Sequence, residues 1–328
     1  MTAEVWAIGV DLGGTKVEVA AVDSQGRQYH RVRHPTNVNA GPAAIRGDIV
    51  AAARELSQKV GSPPVGMGIG VAGQIASDQG VVRFAPNLGW RDVSLQQDLC
   101  EALGWPVVVL NDVRAATWGE WLHGAGQGCD DLICLFVGTG IGGGVVCGGH
   151  ILSGCTNTAG ELGHIIINEE GPSCTCGNRG CLEAFAGGWA IARHAREAIS
   201  RDPSAGATLL NSAGGQLEAV TAESVVRSAK AGDPLALRVL DRATKALIAG
   251  AVSLVNAFNP CRFILGGGIV DGWPYLAGQI EQGVRQQALA AATHSLQVLP
   301  AKLKNSAGVV GAASLAIRSF AKQEGIHE

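Results

Sequence analysis

One layout occurs twice in this chain, and it restricts the folds open to it. Residues 5–26 read VWAIGVDLGGTKVEVAAVDSQG: an apolar run Val5–Val10, a break at Gly13, Gly14 and Thr15, a second run Val17–Val22, then a polar turn at Asp23–Gly26. Over a hundred residues later, 132–154 read LICLFVGTGIGGGVVCGGHILSG, again run, Gly/Thr break, run and turn. Short β-branched apolar runs bounded by glycine form strands. Each copy therefore predicts a β-hairpin with a glycine-rich tip. The two copies match in layout, not residue by residue. Two such units among alternating strands and helices imply an α/β protein with a duplicated domain, and ligands of such proteins favour the cleft between lobes.

Bulk properties set the outer limits. A chain of 328 residues suits two domains. Apolar residues at 47% supply two cores. The 47 glycines, about twice the usual share, cluster rather than repeat, which predicts tight turns and close backbone approach to a ligand. Net charge is −3 and no basic stripe exists, so no nucleic-acid partner is expected. Residues 132–152 carry no Asp, Glu, Lys or Arg but hold seven glycines, which favours strand–turn–strand over a membrane helix. The N-terminus MTAEVWAIGV lacks the charged and apolar regions of a secretory leader, so a cytoplasmic protein is expected. Nine cysteines, an odd number, argue against a disulfide framework.

Helical spacing predicts helices over 39–60, 95–103, 115–122, 189–200, 222–231, 234–258 and 308–320, with Asp233 as N-cap and Pro234 at the first helical position. Strands are expected at 65–71, at 107–110 delivering Asn111 and Asp112, and at 261–265 running into Gly266–Gly268.

Five motifs carry chemistry. Asp11-Leu12-Gly13-Gly14-Thr15-Lys16 can turn backbone N–H groups onto phosphate oxygens, with Asp11 positioned for the Mg²⁺ of a nucleotide. Gly138-Thr139-Gly140 occupies the same place in the second copy, and the pair is more specific than either turn alone. Asp112 at a strand end can accept a proton from a hydroxyl that attacks phosphorus, although an Asp there also serves as a helix cap. In Glu161-Leu162-Gly163-His164, Glu161 and His164 can both face a sugar, or His164 can ligate a metal. Cys174, Cys176 and Cys181 around a glycine turn, with His164 ten residues upstream, make the ligand set of a closed structural Cys₃His zinc site.

These motifs resemble the ROK family of sugar kinases and sugar-responsive repressors. The resemblance spans Asp11 to the Gly311 region and is most specific in Ala159-Gly160-Glu161-Leu162-Gly163-His164 followed by C-x-C-G-x-x-G-C-x-E, which ends at Glu183. It implies a two-lobed actin/hexokinase-like (ribonuclease H-like duplicated) fold with the ligand cleft between lobes. The small lobe is expected at 1–115, completed by a C-terminal helix at 308–328, and the large lobe at 116–307 with the zinc motif. The implied activity is ATP-dependent phosphorylation of a sugar hydroxyl, with glucose at its 6-OH first and an N-acetylhexosamine or a cyclitol as alternatives. A non-catalytic sugar sensor is the alternative of a different class. Asp112 is the implied base. Asn87, Asn111, Glu161, His164 and Glu183 are the implied sugar contacts, with His164 shared between zinc and sugar. Asp11, Gly13, Gly14, Thr15, Lys16, Gly138, Thr139 and Gly140 are expected around ATP and Mg²⁺, and Gly267, Gly268 and Gly311 against the nucleoside. The partner is a small sugar or polyol, with no nucleic acid and no membrane, in a homodimer or homotetramer. The family's repressors carry a DNA-binding domain ahead of this first motif, and only ten residues precede Asp11 here, so a kinase is expected. Three positions depart from the pattern: Ala72-Gly73 where relatives often have Pro-Gly, Arg114 where asparagine is common, and the segment Cys155-Thr156-Asn157-Thr158. They leave the choice of sugar open.

Overall fold

The computed structural model describes residues 5–76 and 79–321. Residues 322–328 of the expected C-terminal helix lie outside the described residues. The chain forms two compact units: 1–129, 150–160 and 302–328 make the first, and 130–149 with 161–301 the second.

Unit 1 is built on β1 (Trp6–Leu12), β2 (Lys16–Asp23), β3 (Gln28–Pro35), α1 (Gly41–Val60) and β4 (Met67–Val71). There follow a small antiparallel sheet of β5 (Gln74–Ile75), β6 (Val82–Ala85) and β7 (Trp90–Val93), then α2 (Leu95–Leu103), β8 (Val107–Asn111) and α3 (Asp112–His123). The main sheet runs β3-β2-β1-β4-β8. β1 pairs antiparallel with β2, and β1–β4 and β4–β8 are parallel.

Alternation along β1 sorts its side chains onto two faces. Trp6, Ile8, Val10 and Leu12 join Ile45, Ile49 and Leu56 of α1 in one core. Ala7 faces the other way, against Val309, Val310 and Ala313. Those residues belong to the helix at Ala307–Phe320, which lies on a sheet face and a helix stripped of side chains. A methyl group on Gly68 would sit 1.8 Å from the Ala312 carbonyl oxygen, and one on Gly9 2.1 Å from that of Val309. Gly9 and Gly68 thus permit helix-to-sheet contact, a role beside turns and ligand approach.

The two-residue strand β11 (His150–Ile151) opens the 150–160 part of unit 1. Unit 2 contains β9 (Leu132–Val137), β10 (Ile141–Cys147), β12 (Arg262–Gly266) and β13 (Gln297–Pro300). β10–β9 is antiparallel, and β9–β12 and β12–β13 are parallel. The order β10-β9-β12-β13 therefore repeats β2-β1-β4-β8 in direction and sequence, which is the expected duplication. The charge-free segment 132–152 is strand–turn–strand, and no helix among the described residues is long and apolar enough to cross a membrane.

Its helices are α4 (Leu182–Ala186), α5 (Gly188–Arg201), α6 (Pro203–Ser212), α7 (Ala222–Lys230), α8 (Pro234–Phe258), α9 (Gly268–Gly272), α10 (Leu276–Gln287) and α11 (Ala290–Thr293); α12 (Ala307–Phe320) returns to unit 1. The Asp233 carboxylate caps α8 by accepting from the Ala236 N–H at 2.8 Å, with Pro234 at its first position, as expected. Sequence reasoning missed α6 and α10, and began α3 three residues late. Cys100, Cys134, Cys147, Cys155, Cys174, Cys176 and Cys181 are free thiols.

Candidate functional site

The two glycine loops share one device: the carbonyls of Gly13 and Thr15 in the first, and of Gly138, Thr139 and Gly140 in the second, are hydrogen-bonded away. In the first, the Gly13 N–H donates to the Lys16 carbonyl at 3.0 Å, closing the β1–β2 turn. Thr36, just past β3, donates its hydroxyl to the Gly13 carbonyl at 2.8 Å and its N–H to that of Thr15 at 3.1 Å. Gly14 packs on the backbone of Asn87, where a Cβ would come within 2.5 Å of the Asn87 carbonyl oxygen. This contact brings Asn87 to the loop. In the second, the Gly138 N–H donates to the Gly140 carbonyl, and the Gly138 and Thr139 carbonyls accept from the Gly188 and Trp189 N–H groups of α5 at 2.9 and 3.0 Å. Carbonyl dipoles repel an anion. Tying these back leaves the loop amides other than those of Gly13 and Gly138, with the Thr hydroxyls, as the polar groups suited to phosphate.

Asp11 lies on β1 beside the start of α12, where a Cβ on Gly308 would be 3.2 Å from its Cγ. Burial pushes its carboxyl above the usual range, Lys16 opposing. A divalent cation would restore the ionised form.

Asn111 closes β8 and caps α3. Its Oδ1 accepts from the Val113 and Arg114 N–H groups at 3.0 and 3.1 Å, and its Nδ2 donates to the Gly73 carbonyl at 3.2 Å. An Asn at this junction has a structural reason beside any contact with sugar. Asp112 is the first residue of α3, where the helix dipole favours a carboxylate. The three departures from the family pattern meet here. The buried Arg114 guanidinium bonds the Asn157 side-chain oxygen, the Asn157 carbonyl at 2.8 Å and the Ala159 carbonyl at 3.2 Å. Asn157, left-handed at φ 62°, passes the connection to the Ile75 carbonyl at 3.1 Å. Sequence reasoning flagged these positions without linking them. A cavity of about 550 Å³ lies alongside, lined by Gln74, Arg83, Cys155, Thr156 and Thr158 among others.

The thiol cluster is a hairpin held against the His164 segment. The Cys174 N–H donates to Asn178, and Gly177, at φ 95°, turns the chain so that its own N–H reaches the Cys174 carbonyl. Ile166 bridges Cys181 antiparallel, which lays the segment after His164 beside the third thiol. One ligand atom from each of His164, Cys174, Cys176 and Cys181 lies within 4.8 Å of all the others. Cys174 Sγ is 3.7 Å from His164 Nδ1, and the Cys176 and Cys181 sulfurs are 3.6 Å apart. A tetrahedral zinc with ordinary bond lengths requires about 3.5 Å for S···N and about 3.8 Å for S···S. The cluster fits that ion. With no cation, burial and the neighbouring thiols push Cys181 up to about 12. Because Nδ1 faces the thiols, Nε2 is on the far edge of the ring. Glu161 precedes the single 3₁₀ turn Leu162–His164, whose Gly163 touches the backbone of β10.

Glu183, in α4, has both oxygens engaged: Oε2 accepts from the Ile141 N–H at 2.7 Å and Oε1 from the Trp189 indole N–H at 3.1 Å. Gly267, at φ 94°, lies where a Cβ would be 2.5 Å from the Val137 carbonyl oxygen, and Gly268 opens α9 with free space around it. Gly311 has another explanation than the nucleoside. A Cβ there would sit 1.8 Å from the Ala115 carbonyl oxygen, so it is the point where α12 meets α3. Thr36 and Trp189 were missed. The helix expected over 189–200 begins at Trp189, but nothing in its spacing marks the contact that Trp189 makes with the loop.

Duplicated sheets, each with a glycine-tipped hairpin, are those of the two-lobed actin-like sugar kinase fold. The ROK family profile matches residues 7–319, and the chain belongs to this family. A glucokinase of Streptomyces coelicolor is 36% identical over 312 residues, 94% of this chain and 96% of that protein. The structure of a ROK family glucokinase from Streptomyces griseus in complex with glucose and AMPPNP matches with a TM-score of 0.81 at 36% identity, over 95% of this chain and 99% of that one. A ROK hexokinase from Thermus thermophilus matches with a TM-score of 0.83 at 33% identity, over 98% and 100%.

Proposed function

We propose that this protein is an ATP-dependent sugar kinase that phosphorylates glucose at its 6-hydroxyl. One observation carries the reading: two glycine loops with their carbonyls bonded away, in a chain 36% identical to a glucokinase along nearly its whole length. The Streptomyces griseus relative, which holds glucose and AMPPNP, supports both substrates.

Asp112 takes the proton of the acceptor hydroxyl as that oxygen bonds to the γ-phosphorus. The β–γ bridging bond breaks and ADP leaves. Gly13, Gly14, Thr15 and Lys16 with Gly138, Thr139 and Gly140 bind the phosphates, and Asp11 would hold the Mg²⁺ of the nucleotide, which would supply positive charge to them. Gly267 and Gly268 face the nucleoside. Asn87, Asn111, Glu161 and the His164 Nε2 contact sugar hydroxyls, as do the lone pairs Glu183 has left. His164, Cys174, Cys176 and Cys181 would hold a structural zinc, which would fix the His164 ring. The protein is cytoplasmic and acts as a homodimer or homotetramer.

The Arg114–Asn157 clamp and the polar cavity beside it favour one further reading, in which the acceptor is an N-acetylhexosamine or a cyclitol. A coupled ADP-release assay with Mg-ATP against glucose, mannose, N-acetylglucosamine, N-acetylmannosamine and a cyclitol tests both. Glucose should respond most strongly. Nucleotide binding with no turnover on any acceptor would instead make the protein a sugar sensor.

A further inference from the structure

In unit 2, a single carboxylate connects the Cys₃His cluster to the second glycine loop. α4 starts immediately after Cys181, whose sulfur belongs to the cluster. Its Leu182 N–H is held by the Ile165 carbonyl at 2.9 Å, next to His164. One residue on, Glu183 receives the Ile141 N–H at 2.7 Å, and Ile141 directly follows Gly140. The other oxygen receives the Trp189 indole N–H at 3.1 Å, and the Trp189 backbone N–H bonds the Thr139 carbonyl. Gly140 lies so close that a Cβ would be 2.4 Å from Glu183 Oε2, and one on Gly188 would be 2.7 Å from the Gly138 carbonyl oxygen. The loop therefore rests on the α4–α5 junction at both its backbone and its only nearby carboxylate among these contacts.

Both partners of Glu183 are donors, so both of its terminal atoms must be acceptors. Glutamine offers one acceptor and turns an NH₂ group onto the other donor. Aspartate is one methylene shorter. The demand for a carboxylate thus comes from the loop, whatever the sugar requires.

We propose that Glu183 is the positioning residue of the second phosphate loop and that it makes nucleotide affinity depend on the Cys₃His centre. The proposal rests on the kinase reading and adds to it a link between zinc and the phosphate donor. In its absence the Ile141 and Trp189 N–H groups lose their acceptor, and Gly138–Gly140 is no longer set for the phosphates.

The test is calorimetric titration of Mg-AMPPNP into wild type, Glu183→Gln and Trp189→Phe with no sugar present. Glu183→Gln should weaken nucleotide binding about tenfold or more, the effect of losing a charged hydrogen bond. Trp189→Phe, which removes one donor, should weaken it less and in the same direction. In a parallel fluorescence measurement, Glu183→Gln should shift the tryptophan emission by freeing the Trp189 indole N–H, and that shift should vanish in the Trp189→Phe background. If Glu183→Gln binds nucleotide within about twofold of wild type and loses only glucose affinity, the loop role is overturned and the residue is a sugar contact alone. If wild type binds no adenine nucleotide, the kinase reading and this inference fall together. Should Glu183→Gln not fold, wild type stripped by a chelator, with metal loss verified by mass spectrometry, takes its place. Weakened AMPPNP binding supports the link, and unchanged binding overturns it.

Discussion

Arg114→Ala should expose how much of the acceptor side depends on one buried guanidinium. Arg114 is 7% exposed and donates to three oxygens: the Asn157 amide and the carbonyls of Asn157 and Ala159. Truncation leaves those acceptors without their charged donor. A hydrogen bond to a charged group contributes about 1.5–3 kcal/mol, and an unpaired buried acceptor costs a comparable amount. Asn157 is only half-buried, so water replaces part of what is lost. Asn157 also keeps its left-handed backbone at φ 62°, a conformation its side-chain contacts help to hold. The sum points to a loss of about 3 kcal/mol, short of the full three-bond value. Urea denaturation measures it, and Arg114→Lys, which keeps the charge but not the fork, should recover less than half. The functional effect follows from chain order: residues 153–160 lead directly into Glu161. Slackening them should raise KM for sugar about tenfold, a misplacement worth roughly 1.4 kcal/mol of binding, while KM for ATP stays put. A variant within about 0.5 kcal/mol of wild type, the range of ordinary surface changes, would refute the clamp. An equal rise in both KM values would refute its assignment to the acceptor side.

Four further outcomes are expected. Asp112→Asn should lower kcat by about 10²–10⁴ while glucose affinity, read by calorimetry, is retained, because the substitution removes a proton acceptor and little volume. Cys176→Ser should lower the zinc content of the purified protein, read by mass spectrometry, and weaken glucose binding through a loosened His164. Gly311→Ala places a methyl 1.8 Å from the Ala115 carbonyl oxygen and should destabilise the fold by about 3 kcal/mol or more, visible as a lowered Tm, because backbone on both helices must move. Stability should also fall as pH drops below about 6.5: burial holds the His123 imidazole below its ordinary range, with Asp23 pulling the other way, so the unfolded chain takes the proton first. His123→Gln should flatten that slope in denaturation curves compared at pH 7.5 and 5.5.

What could be read from the sequence was what is encoded locally. The two hairpins, α2, and α8 with its Asp233-Pro234 start follow from periodicity and caps that neighbouring residues supply. The Cys₃His cluster belongs with them, because three of its ligands share one short hairpin and the fourth is a bridge away. Non-local contacts left less trace. Arg114 and Asn157 are 43 positions apart and Glu183 and Ile141 are 42, and no pattern in either neighbourhood marks the partner. Glycine shows the difference most clearly. Gly177 is needed for a left-handed turn, Gly14 for the approach of Asn87, and Gly311 for the crossing of two helices. All three are the same letter, and their sequence neighbours do not separate them. What separates them is the atom that a methyl group would strike, and that atom is contributed by chain tens or hundreds of residues away for Gly14 and Gly311. A glycine in a motif therefore marks a place where room is needed. Whether a phosphate, a helix or a turn takes that room is decided by tertiary packing, which leaves open space around Gly138 and sets the Ala115 carbonyl against Gly311.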